Sequence, residues 1–351
     1  MSKMKLAVIF GGTSTEHDVS IVSGTSIIKN LNKEKYEIYP IYIGKEGNWY
    51  EYTKNIKEIE KIKVGDKITE VKNIDNPMTY LKQMDCVYPV LHGANGEDGT
   101  IQGLLELLKV PYVGCKVLAS SISMDKAYTK IIFEQAGLKQ APYLYIREDK
   151  GKYKYIEKDF TEEVYNLEDL SKKIEEKISY PMYVKPSNSG SSVGISKVKN
   201  KKELEDAIKY ASKYDKKILI EQGINGREVE CAILGNEEPI ASCIGEVLSA
   251  EEFYSFDAKY KNQQSKTQIP ANLPTNITEE IKKQAIKAFK AVDGNGLSRV
   301  DFFVENGTNE IIINEINTLP GFTNISMYPK LFETSGIPYS DLLDKIIDLR
   351  K

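Results

Sequence analysis

Between Arg299 and Gly321 the chain reads R-V-D-F-F-V-E-N-G-T-N-E-I-I-I-N-E-I-N-T-L-P-G. Asp301 lies on one strand-like run, Asn306-Gly307 marks a turn, and a second run over 311–316 carries Glu315, with Asn317 just beyond. Folded as a hairpin, the two runs gather an arginine, two carboxylates and a carboxamide. The oxygens are hard ligands suited to Mg²⁺, and the guanidinium is a fixed cation beside them. Such a group stabilises phosphates during transfer.

A phosphate site needs further parts, and the chain offers them. The segment Lys185-Pro186-Ser187-Asn188-Ser189-Gly190-Ser191-Ser192-Val193-Gly194 joins two strand-like runs. Small residues let backbone N–H groups approach an anion closely, serine hydroxyls can donate, and Lys185 adds a point charge. The Gly-Lys-Ser/Thr ending of a Walker loop is missing. The segment reads either as a hairpin whose tip covers a triphosphate like a lid or as a plain surface turn. Glu221-Gln222-Gly223-Ile224 follows a buried strand, where a strand edge can present carbonyl and amide groups to a purine. Glu228 is near enough to accept from ribose hydroxyls, although a glutamate at a strand end is more often simply solvated. Gly11-Gly12-Thr13-Ser14-Thr15-Glu16-His17 joins the first strand to the first helix without the G-x-G-x-x-G of a dinucleotide site. Glu16 there either complements a helix dipole or holds an ammonium group. The two histidines, His17 and His92, both fall at strand ends of this first unit, where ligands of open α/β sheets collect. His92 is therefore a candidate substrate contact or a plain cap.

The elements that must position these groups fit a chain of 351 residues, which is too long for one core and points to two or three domains. Hydrophobic content of 41% and charge of 28% are those of an ordinary globular protein. A net charge of −3 gives no electrostatic case for nucleic acid. No run approaches the ~18 apolar residues of a membrane span, and the N-terminal apolar run is too short for a signal peptide. Cys86, Cys115, Cys231 and Cys243 lack paired spacing and read as reduced thiols, consistent with a cytoplasmic protein.

Strand–glycine–helix alternation in the first third predicts a parallel, helix-covered sheet, with strands over 6–10, 38–43 and 86–91 and helices from about 18 and over 100–108. A helix is expected over 124–135, and the polar, Tyr-rich stretch 147–169 reads as an exposed hairpin or loop insertion. Strands at 182–185, 194–198 and 217–221 with a helix over 202–213 make an α+β unit. Two strands at 227–234 and 239–247 follow, then a long polar loop, 249–267, of functional length. A helix capped by Thr278 buries Ile281, Ala285, Ala288 and Phe289. The hairpin and a terminal helix over 339–349 complete the chain.

In this order the motifs resemble the D-alanine–D-alanine ligase family of the ATP-grasp superfamily, over nearly the whole chain. The resemblance rests on Phe10-Gly11-Gly12-x-Ser14-x-Glu16, His92-Gly93-x-x-Gly96-Glu97-Asp98-Gly99, Met124-Asp125-Lys126, Lys185-Pro186 with Gly190-Ser191-Ser192-Val193-Gly194, Phe253-Tyr254-x-Phe256-x-Ala258-Lys259-Tyr260, and Asn317-Thr318-x-Pro320-Gly321-Phe322-Thr323. It implies an α/β and α+β, three-domain ATP-grasp architecture: an N-terminal parallel-sheet unit (1–117), a central lid unit (118–220) and a C-terminal unit (221–351).

The resemblance also implies roles. Lys126, Lys185, Ser192 and Lys259 would meet ATP phosphates, Glu221 and Ile224 the adenine, and Glu228 the ribose. Asp301, Glu315 and Asn317 would hold two Mg²⁺ or Mn²⁺ ions, with a monovalent cation as a further candidate. Arg299 and the Gly321 N–H would stabilise an oxyanion. Glu16 would hold the first D-alanine's ammonium, with Ser191 and Tyr260 locking the long loop, and Ser326 would meet the second substrate's carboxylate. The implied activity is ATP-dependent formation of D-alanyl-D-alanine through an acyl phosphate, for cell-wall precursors, by a cytoplasmic homodimer. Two positions depart from the pattern. Ile325 stands where many relatives carry His, and Met327 stands where D-serine-using relatives carry Arg. The apolar Met327 favours D-alanine as acceptor over the D-serine alternative, and Tyr260 argues against D-lactate.

Overall fold

The computed structural model describes residues 2–350 apart from 55, 60, 61, 63, 64, 67, 191 and 249–265. Three sheets organise it. The first contains β1 (Met4–Gly11), β2 (Tyr36–Ile43), β3 (Trp49–Tyr52), β4 (Val71–Asn73) and β5 (Cys86–Pro89), in the order β4-β3-β2-β1-β5. Helices α1 (His17–Asn30), α2 (Ile56–Ile59), α3 (Pro77–Leu81) and α4 (Thr100–Leu108) belong to the same stretch. β1 is a continuous apolar run because both its faces are covered. It pairs parallel with β2 and β5, as the strand–glycine–helix pattern predicts. The sheet is nonetheless mixed, since β3 and β4 add antiparallel. The turn at 44–48 returns the chain without a crossover helix, and only antiparallel neighbours can be joined so tightly.

The expected helix over 124–135 is α6 (Lys126–Gln135), and a further helix that the sequence did not reveal, α5 (Val117–Met124), precedes it. Asp125 adopts an extended conformation between them, and its side chain accepts from the Tyr128 N–H, so it caps α6. The second sheet runs β10-β9-β11-β6-β7-β8, built from β6 (Tyr143–Asp149), β7 (Lys152–Ile156), β8 (Glu162–Tyr165), β9 (Met182–Pro186), β10 (Ser196–Val198) and β11 (Lys217–Gln222). The 147–169 stretch holds the expected hairpin, β6 and β7 turning at Lys150-Gly151, but with β8 it extends the sheet rather than forming an inserted loop. Tyr153 and Tyr155 alternate inward from β7 onto α7 (Leu167–Lys177) and share a core with α8 (Lys201–Ala211). The alternation is hidden in the sequence because the inward residues are tyrosines.

The third sheet runs β14-β13-β12-β15-β16, from β12 (Gly226–Gly235), β13 (Ile240–Leu248), β14 (Lys266–Gln268), β15 (Gly296–Glu305) and β16 (Ile311–Asn317). A helix, α9 (Thr275–Ala291), covers one face with Ile281, Ala285, Ala288 and Phe289 buried as expected, although it starts after Pro274 and Thr278 lies inside it. Two helices follow the hairpin, α10 (Met327–Thr334) and α11 (Tyr339–Asp348). The last returns to the first sheet. Leu342, Leu343, Ile346 and Ile347 share a core with Leu6, Val8 and Phe10 of β1 and with Ile27 and Ile28 of α1. Burial of each such side chain contributes about 1.5–3 kcal/mol, which ties the end of the chain to its beginning.

Candidate active site

One face of the third sheet is acidic because of strand register. Glu230 pairs with Asp301 and Asp301 with Glu315, while Arg299 pairs with Asn317. One step along, Glu228 pairs with Phe303 and Phe303 with Ile312. These rows are two residues apart and so share a face, while Val300, Phe302 and Val304 turn to the opposite side and enter the core. A register shift after Asp301 leaves Asn314 as an extra residue, and this bulge keeps Glu315 beside Asp301.

Like charges placed directly opposite across strands repel, so the row needs cations. Arg299 supplies one. Its Nε and Nη2 donate to Asp301 Oδ1 and Oδ2 at 2.7 and 2.6 Å, and Nε lies 3.0 Å from Glu230 Oε2. Burial works against the guanidinium charge, but Asp301, Glu230 and Glu315 outweigh it and hold the arginine well above its ordinary pKa. Asn317 accepts from the Leu319 N–H at 3.0 Å. Among the described residues no three His, Cys, Asp or Glu side chains form a ready-made metal cage. Two carboxylates and a carboxamide are nonetheless the donor set that Mg²⁺ uses when phosphates supply its remaining oxygens.

Lysines face this wall from the second sheet and α6. A cleft of about 450 Å³ lies between them, lined by Lys130, Tyr183, Lys185, Ser192, Glu221, Gln222, Ile224, Glu228, Val247, Phe303, Ile312, Asn314 and Glu315, among others. Its size suits a nucleotide-sized ligand. Lys185 and Lys130 both pair with Glu221, Lys185 at Oε1 and Lys130 at Oε2, the latter at 2.9 Å. Burial would push the Glu221 acid up, but the two lysines draw it down to about 2. The Lys185 charge is likewise favoured, since Glu221 and Glu315 overcome the effect of burial. Lys126 shows the opposite balance: burial, helped by Lys185, lowers it despite Glu315, Glu97 and Glu221. The Lys126 Nζ donates to the Ser189 carbonyl at 2.6 Å, and its backbone N–H donates to the Ser187 carbonyl. Ser187 Oγ in turn donates to Asp125 Oδ1 at 2.6 Å. The loop after β9 is therefore rooted on the first turn of α6.

The tip of that loop reaches the first sheet. A Cβ added at Gly190 would stand 2.6 Å from Glu16 Oε2, and one at Gly93 would stand 2.4 Å from the same atom. The Glu16 carboxylate thus sits between two glycines, and side chains there would displace it. His92 lies beside it, fully enclosed, with Nε2 2.9 Å from Ser23 Oγ and Nδ1 3.6 Å from Glu97 Oε1. Burial opposes its protonation, but Glu97 and Glu16 raise it. Ser23 Oγ also accepts from the Phe322 N–H at 3.2 Å, so α1 grips the turn that carries Gly321. In that turn Ser326 Oγ accepts from the Thr323 N–H at 2.9 Å, and a Cβ on Gly321 would meet Ser326 Oγ at 2.8 Å.

The structure therefore brings Lys185, Ser192, Glu221, Ile224, Glu228 and Glu315 to one cleft, and Glu16 and His92 to its neighbour at the loop tip. Met327 is placed differently. It opens the helix after Ser326 with its side chain turned into the core, its methyl against Gly245 of β13. Ser191, Lys259 and Tyr260 lie outside the described residues. The sequence reading missed Lys130, Glu230, Phe303 and Ser23. The Glu228-x-Glu230 alternation in a strand was a usable signal. Lys130 had none, because it reads as one more lysine on a helix.

Residues 5–115 match the family model described as D-ala D-ala ligase N-terminus, and residues 132–348 the one described as D-ala D-ala ligase C-terminus. The chain is 50% identical to a D-alanine–D-alanine ligase of Acetivibrio thermocellus, covering 99% of this chain and 96% of that protein. It is 51% identical to one of Caldicellulosiruptor bescii, covering 99% and 95%. The fold matches the D-alanine-D-alanine ligase of Coxiella burnetii with a TM-score of 0.82 at 34% identity, covering 99% and 94%. It also matches the VanG D-Ala:D-Ser ligase of Enterococcus faecalis with a TM-score of 0.85 at 36% identity, covering 99% of each.

Proposed function

We propose, from the premise that this chain belongs to the D-alanine–D-alanine ligase family, that it joins two D-alanines at the expense of ATP. The observation that carries this reading is the Gly190 loop: its root is tied to Lys126 beside the nucleotide-sized cleft, and its tip meets Glu16. One element thus spans from the phosphate end to a carboxylate able to hold an ammonium group.

A carboxylate is a poor acyl donor because its oxygen leaves badly. Lys126 and Lys185 grip the triphosphate, Ile224 and Glu221 border the base, and Glu228 accepts from the ribose. Ser192 and Lys259 add contacts to the phosphates. Glu16 holds the ammonium of the first D-alanine, so its carboxylate oxygen is aimed at the γ-phosphorus. Attack there breaks the bond to ADP and leaves D-alanyl phosphate. The amine of the second D-alanine, anchored through its carboxylate by Ser326, attacks the acyl carbon. Arg299 and the Gly321 N–H stabilise the oxyanion, phosphate leaves, and the amine's proton is lost. No protein nucleophile is required, so the residues act by positioning and charge stabilisation. Ser191 and Tyr260 lock the segment before β14 over the site and exclude water from the acyl phosphate. His92 borders the first amino acid, and Met327 acts from beneath the Ser326 turn by packing.

Asp301, Glu315 and Asn317 fit two Mg²⁺ or Mn²⁺ ions, which when bound would neutralise phosphate charge. A monovalent cation, a homodimeric assembly, a cytoplasmic location and the division into units 1–117, 118–220 and 221–351 belong to the same proposal. Among the described residues no helix is long and apolar enough to cross a membrane. The test is to offer D-alanine, D-serine and D-lactate together with ATP. D-alanyl-D-alanine, ADP and phosphate in equal amounts are expected. A dominant D-alanyl-D-serine product would make D-serine the acceptor instead, as in the name of the VanG D-Ala:D-Ser ligase.

A further inference from the structure

Lys130 is buried to within 3% on the inner face of α6 and belongs to none of the motifs that carry the family resemblance. Its ammonium sits 2.9 Å from Glu221 Oε2, while the other oxygen of the same carboxylate is taken by Lys185. All three side chains line the nucleotide-sized cleft. One buried carboxylate therefore holds two ammonium groups, one more cation than its own charge requires.

The two lysines differ in what else surrounds them. Lys185 is the last residue but one of β9, just before the serine-rich loop, with the Tyr183 ring 5.8 Å away, and Glu315 on the opposite wall also attracts it. Lys130 lies one helical turn beyond Lys126, with the Tyr143 ring 5.4 Å away. Its backbone carbonyl accepts from Gln140 Nε2 at 2.8 Å, which holds the backbone of α6 at this position. The Lys185 side chain is 13% exposed and the Lys130 side chain 4%, so Lys185 is the more open of the two to an arriving anion.

We propose that Lys130 is a positioning residue that stays on Glu221 so that Lys185 can transfer from that carboxylate to the phosphates of ATP. Removing a lone partner from a buried carboxylate is costly, because the charge is left uncompensated. With Lys130 in place, Glu221 remains paired after Lys185 departs. Without it, Lys185 is held back as the only remaining counter-ion. This rests on the reading above that Lys185 binds phosphate.

The experiment is calorimetric titration of the full chain with ATP and Mg²⁺, without D-alanine, and separately with adenosine, which has the base and ribose but no phosphate. Lys130→Met is expected to weaken ATP by roughly tenfold to a hundredfold, the value of one charge-assisted hydrogen bond, and to leave adenosine within about twofold. The double variant Lys130→Met/Glu221→Gln, which removes the carboxylate that traps Lys185, should restore the wild-type ratio of ATP to adenosine affinity. A purely structural role for Lys130 would lower the melting temperature and weaken both ligands alike. That outcome overturns the proposal, as does an unchanged ATP affinity. Should Lys130→Met fail to fold, the double variant carries the test: a wild-type ratio supports the exchange, and a ratio depressed tenfold or more overturns it. Lys185→Met separates this from the underlying reading. If that variant binds ATP as well as wild type, the phosphate role of Lys185 is wrong.

Discussion

The two walls of the cleft solve opposite electrostatic problems. The wall from the third sheet gathers Glu228, Glu230, Asp301 and Glu315 by strand register, and Arg299 is the cation built among them. The wall from α6 and the second sheet gathers Lys126, Lys130 and Lys185, and Glu221 is the anion built among them. Each wall carries one residue of the opposite sign, already hydrogen-bonded within it. A triphosphate is welcomed directly by the lysines, but it meets the carboxylates only if cations lie between. The walls should therefore respond differently to the same metal titration.

The largest effect is expected at Glu315. Changing it to Gln keeps the size and removes the charge, so turnover should fall by about a thousandfold, the scale of losing a principal charge-stabilising group. The Mg²⁺ concentration for half-maximal rate should rise as well. Near-normal turnover in a steady-state ADP-release assay would break the comparison, because the acidic wall would then have no metal to hold. Lys126→Met tests the opposite wall. It should raise the KM for ATP by roughly tenfold to a hundredfold, the value of a charge-assisted contact, with the Mg²⁺ dependence unmoved. A shift in Mg²⁺ dependence equal to that of Glu315→Gln would mean the walls are not distinct.

The acidic wall was partly legible in the sequence: the turn at Asn306-Gly307 marks a hairpin, so Asp301 falls on one strand and Glu315 and Asn317 on its neighbour. Even there, the bulge at Asn314 that keeps Glu315 in the row was not legible, since an extra residue leaves no mark in an isoleucine-rich run. The lysine wall was legible only through motifs. Lys130 and Glu221 are distant in sequence, and nothing local says that a lysine on a helix will be buried against that glutamate. The break at Asp125 was hidden for a related reason. The apolar pattern continues across it, and what ends α5 is a cap shared with Ser187 from a distant loop. The tyrosines of β7 misled because their rings alternate inward while their hydroxyls made the stretch look exposed.

Where the walls end, shape replaces charge. Around Glu16 the neighbours are Gly93 and Gly190. Gly190→Ala would put a methyl 2.6 Å from Glu16 Oε2, a distance that forces the loop tip or the carboxylate to move. The KM for D-alanine should rise about tenfold, as for misplacing a substrate-positioning group by a fraction of an ångström, while ATP binding without D-alanine stays within about twofold. If ATP affinity falls as far as D-alanine affinity, the loop tip serves the phosphate end too, and the division between charge and shape fails.

The smallest effect concerns stability, and it sharpens the difference in sign between the walls. Burial alone would raise the Glu221 acid, yet Lys130 and Lys185 hold it at about 2, below the ordinary glutamate value near ~4.3. A carboxylate whose folded pKa is depressed stabilises the fold fully above its unfolded pKa and loses that contribution as pH falls toward the folded one. The window is therefore from about 4.3 down to about 2. Comparing wild type with Glu221→Gln isolates this group from other acids titrating in the same range. The melting-temperature gap between the two should be widest near neutral pH and narrow by a few degrees as the pH is taken to about 3. A gap that does not change with pH would mean that the two lysines contribute packing at Glu221 and no charge pairing.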